Sequence, residues 1–162
     1  MNAPEPNGKP VIIIRIRGRV DVPSKVEYIA KDVRIERKFN ASIYPYTHSL
    51  AGKLMILNSI ATWGEIDEYT LYRLLSKRLE RAKGERASEE YLKKNLGLTL
   101  RDLVSEIMKG STLSKYKEHL LPYLRLHPPS GGFKGKINSP YSNGGELGYR
   151  GEKIKELVMK MM

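Results

Sequence analysis

Glycine, basic and aromatic residues are interleaved in one stretch near the C-terminus, LRLHPPSGGFKGKINSPYSNGGELGYRG, residues 124–151. Glycine permits a close backbone approach to another surface, lysine and arginine neutralise phosphates, and aromatic rings stack on bases. This composition is typical of a segment that lies against RNA, and equally of a flexible surface loop. The RNA-binding candidates in this glycine-rich segment are Arg125, His127, Gly131, Gly132, Phe133, Lys134, Lys136, Tyr149 and Arg150.

A row of arginines runs along and just beyond the first apolar stretch of the chain. Arg15, Arg17 and Arg19 are spaced two apart, and side chains with that spacing lie on the same face of an extended strand. The row predicts an RNA-binding sheet face, the other interpretation being an ordinary solvated face. Three more cations follow the next predicted helix, where they either contact RNA or stabilise the negative end of the helix dipole: Arg34, Arg37 and Lys38.

The signals for catalysis are weaker. The run GGFKGK at 131–136 is one residue short of the phosphate-loop motif GxxxxGK, and Ile137 stands where Ser or Thr must hold magnesium. The three histidines lack metal-ligand spacing. The preference of helix N-termini for acids explains the acidic cluster of Glu65, Asp67 and Glu68 better than acid–base catalysis does. We predict no catalytic residue, cofactor, metal or small-molecule substrate, and keep an RNA-modifying enzyme that uses this cluster as an alternative.

The composition favours a polyanionic partner. The 162 residues include 29 Lys+Arg against 18 Asp+Glu, which gives a net charge of +11 and a pI near 9.8. A basic domain of this size usually binds nucleic acid. The mean hydropathy of −0.46 and the lack of a long apolar run argue against a membrane protein. The absence of cysteine and of an apolar leader is typical of a cytoplasmic protein.

The hydrophobic periodicity predicts an α+β fold with a β-α-β-α-β core at residues 11–66. Strands are expected at 11–18, 39–44 and 60–63. The first strand begins with an apolar run, as in a strand that is buried on both faces. Two amphipathic helices, one opened by a Ser24-x-x-Glu27 capping box and one at 47–58, should lie on one face of the small sheet.

The rest of the chain divides into three further segments. Residues 1–10 are a loose lead-in, 67–122 a helical extension, and 123–162 a glycine-rich basic arm with a closing helix. Within the extension, helices are expected from Asp67 to Leu79, at 88–94, from a Thr99–Asp102 capping box to Gly110, and at 113–121. An extended stretch should follow at 123–127.

Four motifs resemble the family of large-subunit ribosomal proteins that is numbered thirty in bacteria and archaea and seven in eukaryotes. They are RIRG at 15–18, WGE at 63–65, LRLHPPSGG at 124–132, and GGELG at 144–148 with the closing helix. The resemblance covers residues 11–162 and is closest to the archaeal branch. LRLHPPSGG and GGELG together are specific, whereas either alone is modest evidence.

The resemblance implies a structural, non-catalytic component of the large ribosomal subunit with a ferredoxin-like core. It implies binding to ribosomal RNA in the vicinity of 5S rRNA, contact with neighbouring ribosomal proteins, and a place on cytoplasmic ribosomes. Many members carry an Arg-Gly pair at the start of the second helix, taken to contact RNA. This chain has Ala51-Gly52 followed by Lys53, so the resemblance supports Lys53 as an RNA-binding residue only weakly. A ribosome-assembly factor on the same fold is the closest alternative.

Overall fold

A computed structural model describes residues 3–162 as a five-stranded mixed sheet with helices on both faces. The strands are β1 Pro10–Arg15, β2 Asn40–Pro45, β3 Ala61–Glu65, β4 Leu124–Arg125 and β5 Gly148–Tyr149. The helices are α1 Ser24–Asp32, α2 His48–Leu57, α3 Glu68–Arg78, α4 Glu89–Leu96, α5 Leu100–Met108 and α6 Ile154–Met161. None of the helices within residues 3–162 combines the length and the hydrophobicity of a membrane span.

The strand order β4-β2-β1-β3-β5 places β1 at the centre of the sheet. Ile12 of β1 lies opposite Ile43 of β2 on one side and opposite Gly64 of β3 on the other, and both pairings are antiparallel. Therefore β2 and β3 run in the same direction on either side of β1, and α2 connects them across it. This arrangement confirms the predicted α+β class and is compatible with a ferredoxin-like core.

The two faces of β1 pack against helices from different halves of the chain. Val11 and Ile13 belong to a hydrophobic cluster with residues of α1 and α2, so these two helices share one face, as predicted. Ile12 and Ile14 belong to a second cluster with residues of α3, α5 and α6. The apolar run of β1 is explained by this double burial, since every residue of the strand is buried.

The second half of the chain also supplies both edge strands. Leu124 of β4 pairs with Ala41 of β2 in antiparallel fashion, and Tyr149 of β5 pairs in parallel with Trp63 of β3. Two-residue strands are too short to produce a periodic pattern, which is why the sequence predicted only an extended stretch at 123–127. The segment boundaries at 66 and 122 stay predictions.

Of the two predicted capping boxes, the structure contains one. Thr99 and Asp102 form the expected capping box of α5: the Thr99 hydroxyl accepts from the Asp102 N–H at 3.2 Å, and the Asp102 carboxylate accepts from the Thr99 N–H at 3.0 Å. The capping box predicted at Ser24 and Glu27 is wrong, because α1 begins after Pro23 without a side-chain cap. The Glu27 carboxylate binds Arg15 instead.

Two other predictions are corrected by backbone hydrogen bonding. The helix expected at 113–121 is only a 3-10 turn, Leu113–Tyr116. Residues 117–119 form a further turn, after which the chain pairs with the segment that follows α3, where the Leu121 N–H donates to the Glu80 carbonyl at 3.0 Å. The first strand ends at Arg15 and does not continue to Gly18, since the N–H groups of Ile16 and Arg17 both donate to the Ile60 carbonyl.

Candidate nucleic-acid interface

Arg15, the last residue of β1, is an internal cross-link and not a surface cation. Its side chain is fully buried, so the predicted basic sheet face is wrong at this position. The guanidinium donates to the Glu27 carboxylate at 3.0 Å. It also donates to four backbone carbonyls at 2.8–3.2 Å, those of Arg17, Gly18, Ile35 and Glu36. The hydrogen bond from Arg15 lowers the pKa of the Glu27 carboxyl below its usual value.

Arg17 and Arg19 follow the strand and remain accessible. The half-buried Arg17 donates to the Ser59 carbonyl at 3.0 Å. The Arg19 side chain is 61% exposed, and its guanidinium lies 3.7 Å from the Glu36 carboxylate. An exposed ion pair of this kind contributes little to stability and can exchange its partner for a phosphate. Both residues stay candidates for RNA contact.

The glycine-rich segment is anchored in the body of the protein at both ends. Its first residues form β4 and its last residues include β5, and the side chains of Leu124, Leu126 and Leu147 are buried. Phe133 packs against Phe39, with 6.2 Å between ring centroids. This half-buried ring is therefore an anchor for the segment as well as a stacking candidate.

Between these anchors the segment presents an exposed basic turn. Gly131 and Gly132 both have positive φ, 80° and 75°, and an added Cβ would meet no atom within 4 Å at either one. Positive φ explains the choice of glycine here, and the open surroundings leave the backbone accessible. Lys134 and Lys136 follow with exposed side chains. All four residues therefore stay candidates for RNA contact.

The same turn faces α6 across a groove of about 260 Å³. Lys153 and Lys160 line this groove together with Lys134, and Glu156 is the exposed acid among them. The sequence analysis did not name these two lysines of the closing segment as RNA-binding candidates, because only the fold brings them next to the glycine-rich turn.

Arg150 is the second buried arginine, 5% exposed, which contradicts its predicted role in neutralising phosphate. Its guanidinium donates to the Glu146 carboxylate and to the Thr62 hydroxyl, both at 2.8 Å, and lies over the ring of Tyr141. Since Glu146 is buried as well, the pair holds the glycine-rich segment onto β3.

Tyr149 is also engaged inside the protein. Its hydroxyl donates to the Glu65 carboxylate at 2.8–2.9 Å, and its ring lies 4.6 Å from that of Trp63. Burial and the neighbouring Glu65 carboxylate raise the pKa of Tyr149 above its ordinary value. The hydroxyl thus stays protonated as a hydrogen-bond donor, and the half-buried ring is less available for stacking than the sequence predicted.

The acids of the cluster have different neighbours, although Glu65 and Asp67 line one cleft. Glu65 accepts from Tyr149, Asp67 lies 4.0 Å from Lys155, and Glu68 is in the first turn of α3. Asp67 occupies the N-cap position of α3 but makes no side-chain capping bond. Within residues 3–162 no group of three or more potential metal ligands converges.

The remaining candidates occupy separate places. Arg125 of β4 is half-exposed and forms an ion pair with Glu80. His127 has an exposed side chain, while its N–H fixes the chain by donating to the Met161 carbonyl at 3.0 Å. Lys53, in α2, pairs with Asp32 of α1. The structure thus places Arg125 beside β2 and His127 beside the end of α6, both on the surface, but does not bring Lys53 to them in any described contact.

These observations define a small, strongly basic α+β protein in which a glycine-rich segment is folded onto a split β-α-β sheet. No family model matches the chain. Three similar proteins all carry the name large ribosomal subunit protein uL30. The one from Sulfolobus acidocaldarius is 42% identical, and one from Saccharolobus islandicus is 43% identical; each match covers 93% of this chain and 96% of the relative. The one from Hyperthermus butylicus is 43% identical over 93% of this chain and 88% of the relative. The chain belongs to the uL30 family of large ribosomal subunit proteins.

Proposed function

We propose that the chain is a structural constituent of the large ribosomal subunit, where it binds ribosomal RNA and catalyses no reaction. The observation that carries this proposal is its 42–43% identity, over 96% of their length, to proteins named as large ribosomal subunit components. The net charge of +11 supports it, because a surface with this excess of cations suits a polyanionic partner. The two buried arginines do not diminish that excess, since each is paired with one carboxylate.

The binding is mainly to phosphates and to RNA shape. The accessible candidates are arginines and lysines, which neutralise phosphates, together with an open glycine backbone that allows close approach. The aromatic rings of Phe133 and Tyr149 are half-buried in contacts with Phe39 and Trp63, which leaves these two rings little free surface for base stacking. On this basis the protein follows the RNA backbone and reads few bases directly.

The partners are the large ribosomal RNA, in the vicinity of 5S rRNA, and neighbouring proteins of a cytoplasmic ribosome. This part of the proposal rests on the family resemblance. Crosslinking of the protein within whole ribosomes, followed by mapping of the linked RNA, tests it. Crosslinks confined to RNA regions remote from 5S rRNA would remove that neighbour from the proposal.

A salt titration tests RNA binding by the glycine-rich segment. The full chain is bound to isolated large-subunit ribosomal RNA at several salt concentrations, and log affinity is plotted against log salt. We expect neutralisation of Lys134 and Lys136 to glutamine to flatten the slope by about one unit for each lysine. A matched control replaces the exposed Lys93 and Lys94 of α4 with glutamine, which removes the same charge elsewhere. An unchanged slope in the Lys134/Lys136 variant removes the segment from the interface.

Two further measurements separate the alternatives. A structural protein should remain on mature large subunits through salt washing and sedimentation, whereas an assembly factor should leave them. An RNA-modifying enzyme that uses the acidic cluster should show turnover on RNA that Glu65→Gln abolishes. Because Glu65 accepts the hydrogen bond of Tyr149, the unfolding transition of this variant must be compared with that of the wild type.

A further inference from the structure

Helix α1 ends in a conformation that usually belongs to glycine, with an arginine in its place. Arg34 has a φ of +63°. Its N–H donates to the Lys31 carbonyl at 3.1 Å, and the N–H of Ile35 donates to the Ala30 carbonyl at 2.9 Å. This is the Schellman pattern of helix termination, in which the left-handed residue is most often glycine because a Cβ is costly there. A residue kept in such a conformation indicates a use for its side chain.

Arg34 lines a cleft of about 330 Å³ between the α1–β2 loop and the start of β4. Arg37, from the same loop, and Arg125, from β4, line it as well. The loop that presents the first two arginines contains a second non-glycine residue with positive φ, Phe39 at 69°, whose N–H donates to the Arg15 carbonyl. The full lining is Arg34, Glu36, Arg37, Asn40, Tyr123 and Arg125.

The charges that face the cleft are predominantly positive. Arg125 is oriented by Glu80, whose carboxylate accepts from the Arg125 Nε at 3.1 Å. Glu36 is the one carboxylate in the lining, and it also lies 3.7 Å from Arg19 outside the lining. Neither Arg34 nor Arg37 forms an ion pair with any residue between 3 and 162. The neighbour of the Arg34 guanidinium is the uncharged hydroxyl of Tyr44. Both guanidinium groups therefore keep a positive charge that no carboxylate of the protein neutralises through an ion pair.

The geometry points to a binding site for one phosphate group of the RNA backbone in this cleft, an inference that rests on the proposed function. Guanidinium groups bind phosphate through paired, charge-assisted hydrogen bonds. A concave site of about 330 Å³ is at the lower end of those that hold small ligands, so it has room for a phosphodiester group. Asn40 and Tyr123 add uncharged donors. Phosphate binding gives the Arg34 side chain a use at the left-handed position beyond its contact with Tyr44.

The test compares stability with RNA affinity in the full chain. Arg34→Gly should raise the thermal unfolding midpoint, because glycine relieves the left-handed backbone, and should weaken binding to isolated large-subunit ribosomal RNA about tenfold through loss of a charge-assisted contact. Arg37→Gln should weaken binding to a similar extent without raising the midpoint. Each change should lower the salt slope by about one unit. Arg101→Gln, at an exposed arginine of α5, removes the same charge and should stay within about twofold of wild type.

The outcomes distinguish this inference from the proposed function. If wild-type protein binds the RNA and Arg34→Gly binds it equally well, the cleft inference is overturned and the proposed function stands. A loss in Arg101→Gln as large as that in Arg37→Gln also overturns it, because overall charge then explains both. Absence of wild-type binding overturns the proposed function itself. A further outcome would assign the cleft to free phosphate instead. In that case inorganic phosphate raises the unfolding midpoint of the wild type above its value in chloride at equal ionic strength, and Arg37→Gln leaves RNA affinity unchanged.

Discussion

The arginines of this protein have opposite roles that their residue type does not reveal. Arg15 and Arg150 are buried, and each is held by one glutamate and by further oxygen atoms of the chain. Arg19 and Arg37 have exposed side chains, Arg19 in a surface ion pair with Glu36. A buried ion pair is costly to break because the remaining charge is stranded away from water. Substitution at the buried positions therefore tests folding, and substitution at the exposed positions tests RNA binding.

At residue scale, the Arg15–Glu27 pair predicts an acid-sensitive stability. Glu27→Gln should destabilise the protein by about 2–3 kcal/mol, somewhat less than a fully stranded buried charge costs, since four carbonyls still accept from Arg15. The pKa of Glu27 is lowered in the folded state, so its contribution is present above the unfolded value of about 4.5 and is lost as pH falls through the folded value. Urea unfolding at pH 7 and at successively lower pH measures both effects.

The matched control for this prediction is Glu36→Gln. Glu36 is paired with Arg19 on the surface, where both side chains are well exposed, so its loss should change stability by no more than about 0.5 kcal/mol. If Glu27→Gln is as stable as Glu36→Gln at pH 7, or if its stability falls with acid as steeply as that of the wild type, Glu27 is not the partner that stabilises Arg15.

At the scale of elements, the packing of β3 against the C-terminal part depends on Gly64, which has no side chain. A Cβ on Gly64 would collide with the backbone carbonyl of Gly151 and would lie 3.0 Å from the Cβ of Ile154. The Gly151 turn leads directly into α6, so this close approach sets how near the closing helix lies to the sheet. The WGE motif thus has a packing reason in addition to its family resemblance.

We expect Gly64→Ala and Gly52→Ala to change stability in opposite directions. Gly64→Ala forces backbone apart and should cost about 2 kcal/mol or more. Gly52 lies in α2, where an added Cβ would meet no atom within 4 Å, so alanine there should stabilise the helix by about 0.5–1 kcal/mol. Chemical unfolding followed by far-ultraviolet circular dichroism measures both. Equal stabilities for the two variants would show that the Gly151 turn can move away from β3 at little cost in free energy.

How far the elements could be predicted depended on the range of the interactions that form them. The Thr99–Asp102 box and the helices with regular apolar spacing depend on neighbours in sequence, and the structure confirms them. Glu27 is suited to a capping box by its position, yet its carboxylate accepts a hydrogen bond from Arg15, twelve positions earlier. The cleft that Arg34 and Arg37 share with Arg125 depends on the pairing of β4 with β2. A strand of two residues is too short for this pairing to be predicted from the sequence.

At the scale of the whole molecule, the first strand connects two hydrophobic clusters that no local segment could build alone. Val11 and Ile13 complete the cluster with α1 and α2, whereas Ile12 and Ile14 complete the cluster with α3, α5 and α6. The apolar run of β1 already indicated a strand that is buried on both faces. What the sequence left open was the source of the second covering layer, which the helical extension and the closing helix supply.

The double burial predicts that residues 1–66 do not fold cooperatively by themselves, although they contain the whole β-α-β-α-β core. Without the second half, the side chains of Ile12, Ile14, Ile16 and Ile43 would face water. Exposure of four such side chains costs about 6–12 kcal/mol, which is comparable to the total stability of a typical domain. We expect no cooperative thermal transition by circular dichroism for the 1–66 fragment, and recovery of one when a 67–162 fragment is added. A sharp transition of 1–66 alone, near the midpoint of the full chain, would show that the second half is an accessory to a self-sufficient core.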